Sequence, residues 1–560
     1  MNYEAYPVLS EMARKKIPSD LVLKNCRIVN VFSEEIIDGE VAIANGYIIG
    51  VGQGYSGKEE LDLNGCFVLP GLIDAHLHLE SSMSNPCDVI KEANQFGTTT
   101  FIVDPHEAAN VSGTDGIKYI LDQTENASAN VFVMAPSCVP SGPNERNGCV
   151  LTADDLRVLK EDPRILGLGE VMDNTAVIDG DKEMMKKLSC FSDRIIDGHA
   201  PFLLPDDLSA YALSGVATDH ETSSYEYAME EIRKGIHVLL REGSAARNLE
   251  DIVKGIVKNN ISTEVFSMCT DDKHIEDIRN EGHISYNVKK AIKAGLDPVK
   301  AIKMATINAA RCYGLKELGA VCEGYQADMV VVGSLEKMDV KTVFFKGNDI
   351  SKISYKPLPD CPEKLKNTVN VKNISKEDIA LRTDSKIQNI IELIPGQVMT
   401  ELVQEKLPEE DGYFVPDHIY NKCISVERHH ATGLVGVGAI KGYNVRNGAV
   451  GSTVAHDSHN MNIVGDNDRD ILVAVDALKE MQGGYVIVEN GKVVERLPLK
   501  IMGLMSEYDF ETVYSTLNSM KKKAREMGIP ANIDPFIPLS FIALTCIPKV
   551  RITLDGIVLV

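Results

Sequence analysis

Six side chains of metal-binding type recur in the first half of the 560-residue chain: His76, His78, Glu170, His199, His220 and Asp271. His76 and His78 are two residues apart, so on an extended strand both rings point to one face and can share an ion. Imidazole nitrogens and carboxylate oxygens are ligands that Zn, Mn and Fe(II) prefer. Four histidines and two carboxylates suffice for two ions with one bridging carboxylate. Such a site polarises a substrate and makes hydroxide available at neutral pH.

Each of these residues stands at the end of a strand-like run. Eight β-rich runs alternate with helical stretches, at residues 68–78, 98–105, 129–137, 165–171, 194–200, 215–221, 237–243 and 262–272. Eight βα units in about 250 residues predict an α/β fold with a TIM-type (β/α)8 barrel, which we assign to residues 68–318. Catalytic groups of such barrels lie at the C-terminal ends of the strands, where these six residues fall.

The segments on either side of the predicted barrel have other sequence patterns, which predict different secondary structure. Residues 1–20 form a polar N-terminal lead-in that is expected to be helical. Residues 21–67 and 319–350 are rich in strands and turns, and we expect them to combine into a small β-sandwich domain. A Lys/Pro-rich stretch at 354–367 is typical of a linker, and residues 368–560 are predicted to form a C-terminal α+β domain.

Composition excludes several classes of protein. Lys+Arg 58 against Asp+Glu 81 gives a net charge of −23, which would repel nucleic acid and anionic membranes. The N-terminus lacks an apolar signal region, and nowhere do about 18 uncharged apolar residues run together. The twelve cysteines include no CxxC pair, as expected of reduced thiols. We therefore expect a cytoplasmic protein.

Several strings resemble signatures of the amidohydrolase superfamily. LPGLIDAHLHLESSM is similar to its first-strand signature, and Gly324, Ala327 and Asp328 are similar to its exit from the barrel. Within that superfamily, seven strings are similar to sequences of bacterial adenine deaminases. They are HLHLESSMSNP (76–86), FIVDPHEAANV (101–111), GLGEVMD (167–173), DGHAP (197–201), TDHE (218–221), CTDDK (269–273) and AHDSHN (455–460). The resemblance extends from about residue 20 to the C-terminus.

This resemblance implies a binuclear hydrolase that converts adenine to hypoxanthine and ammonia in purine salvage. It implies two divalent transition-metal ions per chain, with Mn²⁺ or Fe²⁺ favoured and Zn²⁺ as an alternative. It transfers the ligand roles to His76, His78, Glu170, His199, His220 and Asp271, and no ligand position is missing. It places the first acidic residue of CTDDK on the metal, although Asp272 would take that place in a shifted register. We also expect a homodimer.

The reaction needs two proton-transfer groups. Asp271 is expected to take the proton of the attacking hydroxide and pass it to the leaving amino group. Ring nitrogens must gain a proton as the tetrahedral centre forms, so a second acid is needed. Glu107, in the run Asp104-Pro105-His106-Glu107 after the second strand, is the candidate, with His106 beside it. The alternative is that this pair makes a structural loop contact.

Two histidine-rich segments stand in the C-terminal domain, at 427–430 (ERHH) and 455–460 (AHDSHN), with glycines around them. Buried, hydrogen-bonded histidines are the default interpretation of both. We nevertheless predict that segment 455–460 closes over the barrel mouth and excludes water from the reaction. His456 and His459, with Asp104 from the barrel, are the candidate substrate-binding residues.

Other functions are weighed against this one. Cyclic amidases usually bridge their metals through a carbamoylated lysine on the fourth strand, where this chain has Glu170. A cytosine-type deaminase stays open, since pocket polarity sets which ring is accepted. His78-Leu79-Glu80 mimics the H-x-E of zinc nucleobase deaminases, but Pro86-Cys87 lacks the second cysteine of their P-C-x-x-C element. A non-catalytic scaffold would have lost ligands, and here all six are present.

Overall fold

The computed structural model describes residues 3–143, 145–354, 358–384 and 386–560. The chain opens with a short helix and five strands: α1 (Tyr6–Ala13), β1 (Ser19–Asn30), β2 (Glu35–Ala44), β3 (Tyr47–Gly52), β4 (Gly57–Asp62) and β5 (Phe67–Pro70). Strands β1, β2 and β3 pair antiparallel, and Asn45 and Gly46 form the turn between β2 and β3. Residues 355–357 of the predicted linker lie outside the described residues.

Eight parallel strands then alternate with helices, as the sequence predicts. The strands are β6 (Leu72–Leu77), β7 (Thr98–Val103), β8 (Asn130–Ala135), β9 (Ile165–Val171), β10 (Ile195–Gly198), β11 (Thr218–Asp219), β12 (His237–Arg241) and β13 (Phe266–Cys269). The helices are α2 (Pro86–Gln95), α3 (His106–Ser112), α4 (Thr114–Thr124), α5 (Ala153–Leu159), α6 (Asn174–Ile178), α7 (Lys182–Cys190), α8 (Pro205–Leu213), α9 (Tyr225–Arg233), α10 (Leu249–Asn259), α11 (Ile275–Glu281), α12 (Ile284–Lys293), α13 (Pro298–Met304) and α14 (Ile307–Cys312).

Hydrogen bonding divides these strands into two curved parallel sheets rather than one continuous barrel ladder. Strands β6 to β10 form a five-stranded sheet, and β11 to β13 form a three-stranded sheet. Across one gap the Ala217 amide donates to the Ile196 carbonyl at 2.9 Å. Across the other, a single parallel bridge joins Leu77 to Asp271. Because β11 is two residues long, it offers too little backbone to extend the ladder, so the described residues show a partial curled sheet and not a closed eight-stranded barrel.

The chain then returns to the first sheet through β14 (Met329–Val332), β15 (Val340–Phe345) and β16 (Asn348–Asp349). Strand β14 pairs antiparallel with β5, with Met329 opposite Pro70. The two segments therefore share one eight-stranded sheet, whose apolar core includes Ile28, Val41 and Phe344. This pairing fixes the position at which the chain enters β6.

The C-terminal region is a mixed α+β structure. Its strands are β17 (Ile387–Leu393), β18 (Thr400–Lys406), β19 (Glu409–Glu410), β20 (Tyr413–Phe414), β21 (Asn421–Val426), β22 (Val435–Lys441), β23 (Gly448–Ser452), β24 (Met461–Gly465), β25 (Gly484–Glu489), β26 (Lys492–Pro498), β27 (Val550–Thr553) and β28 (Gly556–Leu559). Its helices are α15 (Asp468–Glu480), α16 (Phe510–Glu526) and α17 (Ile537–Phe541). Eight of the strands form one sheet in the order β18-β17-β22-β21-β24-β23-β25-β26.

One apolar core runs from the parallel strands into the C-terminal region. Leu77, Val103 and Leu168 from the strands belong to the same buried cluster as Val450 and Tyr485. Contiguous burial of this kind fixes two units against each other, because separating them would expose apolar surface to water. The C-terminal region is therefore held at the carboxyl ends of the parallel strands.

The structure also bears on membranes and on thiol chemistry. Throughout the ranges that it describes, every helix is too short or too polar to cross a membrane. All twelve cysteines fall within those ranges, and all are free thiols.

Candidate metal-binding active site

The two histidines of strand β6 meet at one point at the carboxyl end of the sheet. His76 Nε2 lies 3.2 Å from His78 Nε2. Glu170 Oε1, at the end of β9, is 3.4 Å from His78 Nε2 and 3.8 Å from His76 Nε2. Asp271 Oδ1, just after β13, is 3.2 Å from His78 Nε2. Parallel strands end at a common edge, so ligands that are distant in the chain converge there.

The other oxygen of Glu170 faces the remaining two histidines. His199 Nδ1 lies 2.7 Å from Glu170 Oε2, and His220 Nε2 lies 3.5 Å from the same atom. Glu170 thus directs one oxygen to the pair from β6 and the other to the pair after β10 and β11. This is the arrangement expected of a carboxylate that bridges two cations.

The donor set fits divalent cations. All six side chains are buried, none of them more than 6% exposed. His78 Nδ1 hydrogen-bonds the Asp104 carbonyl at 2.8 Å, so its Nε2 carries the lone pair that faces His76. Burial would raise the pKa of Glu170, yet His220 and His199 hold it well below its usual range. Buried lone pairs and carboxylates at these distances need positive charge between them.

Asp104 hydrogen-bonds two of the candidate ligands, His78 and Glu170. Its carbonyl accepts from His78, and its Oδ2 accepts the backbone N–H of Glu170 at 2.8 Å. A Cβ on Gly169 would lie 2.3 Å from Asp104 Oδ2, which explains the glycine that precedes Glu170. The Asp104 side chain is fully buried against these groups.

His106 and Glu107, the predicted proton-transfer pair, diverge at the start of α3. His106 Nε2 points to the metal-binding cluster and lies 3.5 Å from Glu170 Oε1. Glu107 points the other way, where its Oε1 accepts a hydrogen bond from Ser81 Oγ at 3.0 Å and lies 3.0 Å from His456 Nδ1. Glu107 therefore links the barrel strands to the C-terminal region.

Two residues of segment 455–460, His456 and Asp457, line the cleft above these residues. His78, His220 and Asp271 also line this cleft. The apolar wall comes from Val398, Phe541, Leu544 and Ile547. The ring of Phe541 stacks on His456 with centroids 4.5 Å apart. His459 is fully buried behind this wall, where its Nδ1 accepts the Ala455 amide at 3.2 Å.

Known proteins match the chain over its whole length. The amidohydrolase family model matches residues 67–350, and the adenine deaminase C-terminal domain matches residues 397–560. An adenine deaminase of Desulfitobacterium hafniense is 52% identical over 100% of this chain and 98% of that protein. One from Clostridium acetobutylicum is 42% identical over 96% of each chain, and one from Carboxydothermus hydrogenoformans is 42% identical over 98% of this chain and 97% of that protein.

The chain belongs to the adenine deaminase family of amidohydrolases.

Two groups at the site of this adenine deaminase family member were not among the residues predicted from sequence. Glu221 Oε1 lies 3.7 Å from His220 Nε2 and 3.9 Å from His199 Nδ1. Arg241, at the end of β12, forms an ion pair with Glu221 and donates to Asp271 Oδ2 at 2.8 Å. Glu221 directly follows a candidate ligand and Arg241 ends a strand of the same series, so position alone could have identified both.

The two histidine-rich segments of this family member, 427–430 and 455–460, are joined by hydrogen bonds. His429 Nε2 hydrogen-bonds the Ser458 carbonyl at 2.7 Å, and the Arg428 guanidinium donates to the His459 carbonyl. The Arg428 amide also donates to Asn460 Oδ1 at 3.3 Å. Segment 427–430 thus fixes the loop that covers the cleft, which gives it a role that sequence reasoning left open.

Proposed function

We propose that this chain hydrolyses adenine to hypoxanthine and ammonia. The observation that carries the proposal is Glu170, whose two oxygens face different imidazoles in a cleft that residues of the C-terminal region also line. Full-length relatives named as adenine deaminases support the choice of substrate. A cyclic amidase is disfavoured because the bridging position holds a glutamate and not a lysine.

We further propose that His76, His78, Glu170, His199, His220 and Asp271 hold two divalent transition-metal ions, with Mn²⁺ or Fe²⁺ favoured over Zn²⁺. When bound, the ions polarise the purine and provide a hydroxide at neutral pH. His78 is held in its ligating tautomer by the Asp104 carbonyl, and Arg241 orients Asp271 through Oδ2. These contacts prepare the donors before substrate enters.

Asp271 is our candidate for the group that receives the proton of the attacking water and returns it to the leaving amino group. Burial would raise its pKa, but Arg241 and His78 hold it well below its usual range, so the carboxylate is ionised and can accept a proton. We propose that Glu107, with His456 against it and His106 beside it, takes part in delivering a proton to the ring. His456 is also our candidate substrate-binding residue, with Asp104 and His459 in supporting positions.

The remaining proposals concern context. We propose that the two curved sheets act as one functional barrel within residues 68–318, flanked by a β-domain from 21–67 and 319–350 and a C-terminal domain from 368–560. We propose a role in purine salvage and a cytoplasmic location, in keeping with the full-length relatives named as adenine deaminases. Homodimerisation stays a prediction, and sedimentation of the purified chain would test it.

The substrate proposal is tested with Mn-loaded enzyme and a panel of adenine, adenosine, cytosine and hydantoin. We expect ammonia release from adenine with the absorbance change of hypoxanthine formation. Adenosine should be a poor substrate because C-terminal residues such as Phe541 and Leu544 cover the cleft. Hydantoin opening without adenine turnover would instead indicate a cyclic amidase.

A further inference from the structure

His456 occupies an unusual position for a histidine of the C-terminal region. It is 5% exposed, its Nδ1 contacts Glu107, and one ring face stacks on Phe541. It also lines the cleft that holds the candidate metal-binding residues. A side chain from outside the parallel strands is therefore placed where it can touch bound substrate.

The contact with Glu107 fixes where the proton lies. A carboxylate only accepts hydrogen bonds, and Glu107 Oε1 already accepts one from Ser81, so His456 Nδ1 must be the donor. Burial would lower the pKa of His456, but Glu107 and Asp272 raise it to about 10. The pKa of Glu107 is held well below its usual range, against the effect of burial, chiefly by His456. The pair is thus an imidazolium beside a carboxylate.

Other acids near the cleft are less suitable as proton donors. Glu107 is fully buried behind His456, and His106 faces Glu170 on the metal side. Asp272 shares the Ser81 hydroxyl with Glu107, which leaves it in the same hydrogen-bonded network. Asp457 also faces the cleft, and burial raises its pKa to about 7, so it is the remaining competitor. Among the described ion pairs, Glu107 is paired with His456, and its negative charge keeps a proton on His456 before the reaction.

We propose that His456 is the catalytic residue that protonates the purine ring, with Glu107 as its positioning anion. The inference rests on the proposed function. As the water oxygen bonds to the amino-bearing carbon, the π pair of the adjacent C=N bond moves to nitrogen and takes the proton from His456 Nε2. One water proton passes through Asp271 to the amino group, which leaves as ammonia. The second water proton is released when the carbonyl forms and restores His456, so one water and one adenine give one hypoxanthine and one ammonia.

The first experiment compares His456→Gln with the wild type, after both are loaded with Mn²⁺. Glutamine can still donate to Glu107 but has no transferable proton, so we expect kcat to fall by at least about 100-fold. KM should change much less, because the cleft wall is retained. The matched control is His418→Gln, at an exposed histidine of the C-terminal region outside both histidine-rich segments, which should keep wild-type kcat. A His456→Gln enzyme within threefold of the wild-type kcat would overturn the proposal.

The second experiment separates proton donation from a structural role of the loop. His456→Ala leaves a space between Glu107 and Phe541 that free imidazole can occupy, so added imidazole should raise its kcat/KM in a saturable way. The wild type should show no such gain. Failure of rescue, or loss of activity matched by loss of metal or of folded protein in both variants, would make His456 structural and overturn the proposal. Wild-type enzyme that releases no ammonia from adenine would instead refute the proposed function.

Discussion

Glu170 is the residue on which the site depends. Its two oxygens face different imidazoles, with His78 Nε2 3.4 Å from Oε1 and His199 Nδ1 2.7 Å from Oε2. Its backbone is held by Asp104, and its carbonyl accepts from Ser137 Oγ at 2.5 Å. A carboxylate constrained in this way would hold divalent ions with little rearrangement of its own.

Asp271 and Asp272 provide the sharpest test at the residue scale. Asp271→Asn keeps an oxygen near His78 but cannot accept a proton, so we expect kcat to fall by about 10²–10⁴-fold. Asp272→Asn should cost less than tenfold, because the Asp272 carboxylate is hydrogen-bonded to Ser81, whereas the Asp271 carboxylate lies 3.2 Å from His78 Nε2. Steady-state kinetics with metal analysis of both variants is the measurement.

The reverse ranking of these two variants would show that Asp272 occupies the ligand position. Equal and small losses in both would remove this pair of carboxylates from the proton transfer. Metal content separates the two roles of Asp271, since loss of an ion marks ligation and retention of both ions marks proton transfer alone.

At the element scale, the loop over the cleft is held by a buried arginine. Arg428 is fully buried and donates to carbonyls of three segments: His459 in the loop, Thr368 after the linker and Met502 in a turn before α16. Burial lowers the pKa of Arg428 to about 9. A desolvated guanidinium with carbonyl partners holds separate segments in one arrangement, since each carbonyl would otherwise lack a donor.

Arg428→Met should therefore destabilise the protein by about 2–4 kcal/mol, because buried carbonyls lose their donor. It should also lower kcat/KM, since the loop that carries His456 loses its support. Urea unfolding and steady-state kinetics are the measurements. Arg446→Met, at an exposed arginine of the same region, is the control and should change stability by less than about 0.5 kcal/mol. A stable Arg428→Met enzyme with normal kinetics would show that packing alone fixes the loop.

At the scale of the whole molecule, the candidate metal site and the shared apolar core lie at the same interface, between the parallel strands and the C-terminal region. The candidate ligands end the parallel strands, the C-terminal region covers them, and one apolar cluster joins both. Opening this boundary would expose the core and the charged cluster together. We therefore expect the C-terminal region and the candidate metal site to fold and unfold cooperatively.

Chelation tests this coupling. Purified protein should contain close to two transition-metal ions per chain, and their removal should abolish activity. A ligand that binds only the folded state at 100 times its Kd contributes about 2.7 kcal/mol, so the loss of two ions from a cooperatively unfolding chain of this length should lower the Tm by about 4–5 °C. Calorimetry before and after chelation, with metal analysis, measures both. Readdition of Mn²⁺ should restore activity and Tm together, whereas metal-free enzyme with full activity would refute the metal site.

The sequence by itself determined the series of strands and helices and the six candidate ligands. These features are local: the alternation of apolar runs predicts βα units, and the two-residue spacing of His76 and His78 places both rings on one face. Position at a strand end was enough to group Glu170, His199, His220 and Asp271, since parallel strands end at a common edge.

Only the tertiary structure decided which distant groups touch. Three contacts join parts of the chain that no periodicity relates. They are the Glu107–His456 pair, the Arg241 contact between Glu221 and Asp271, and the hydrogen bonds between segments 427–430 and 455–460. The sequence pattern also did not predict the division of the strands into sheets of five and three, because this division depends on strand register and on the short length of β11. Such contacts follow from how whole units pack, and packing is set by the sum of many weak apolar contacts that local sequence does not encode.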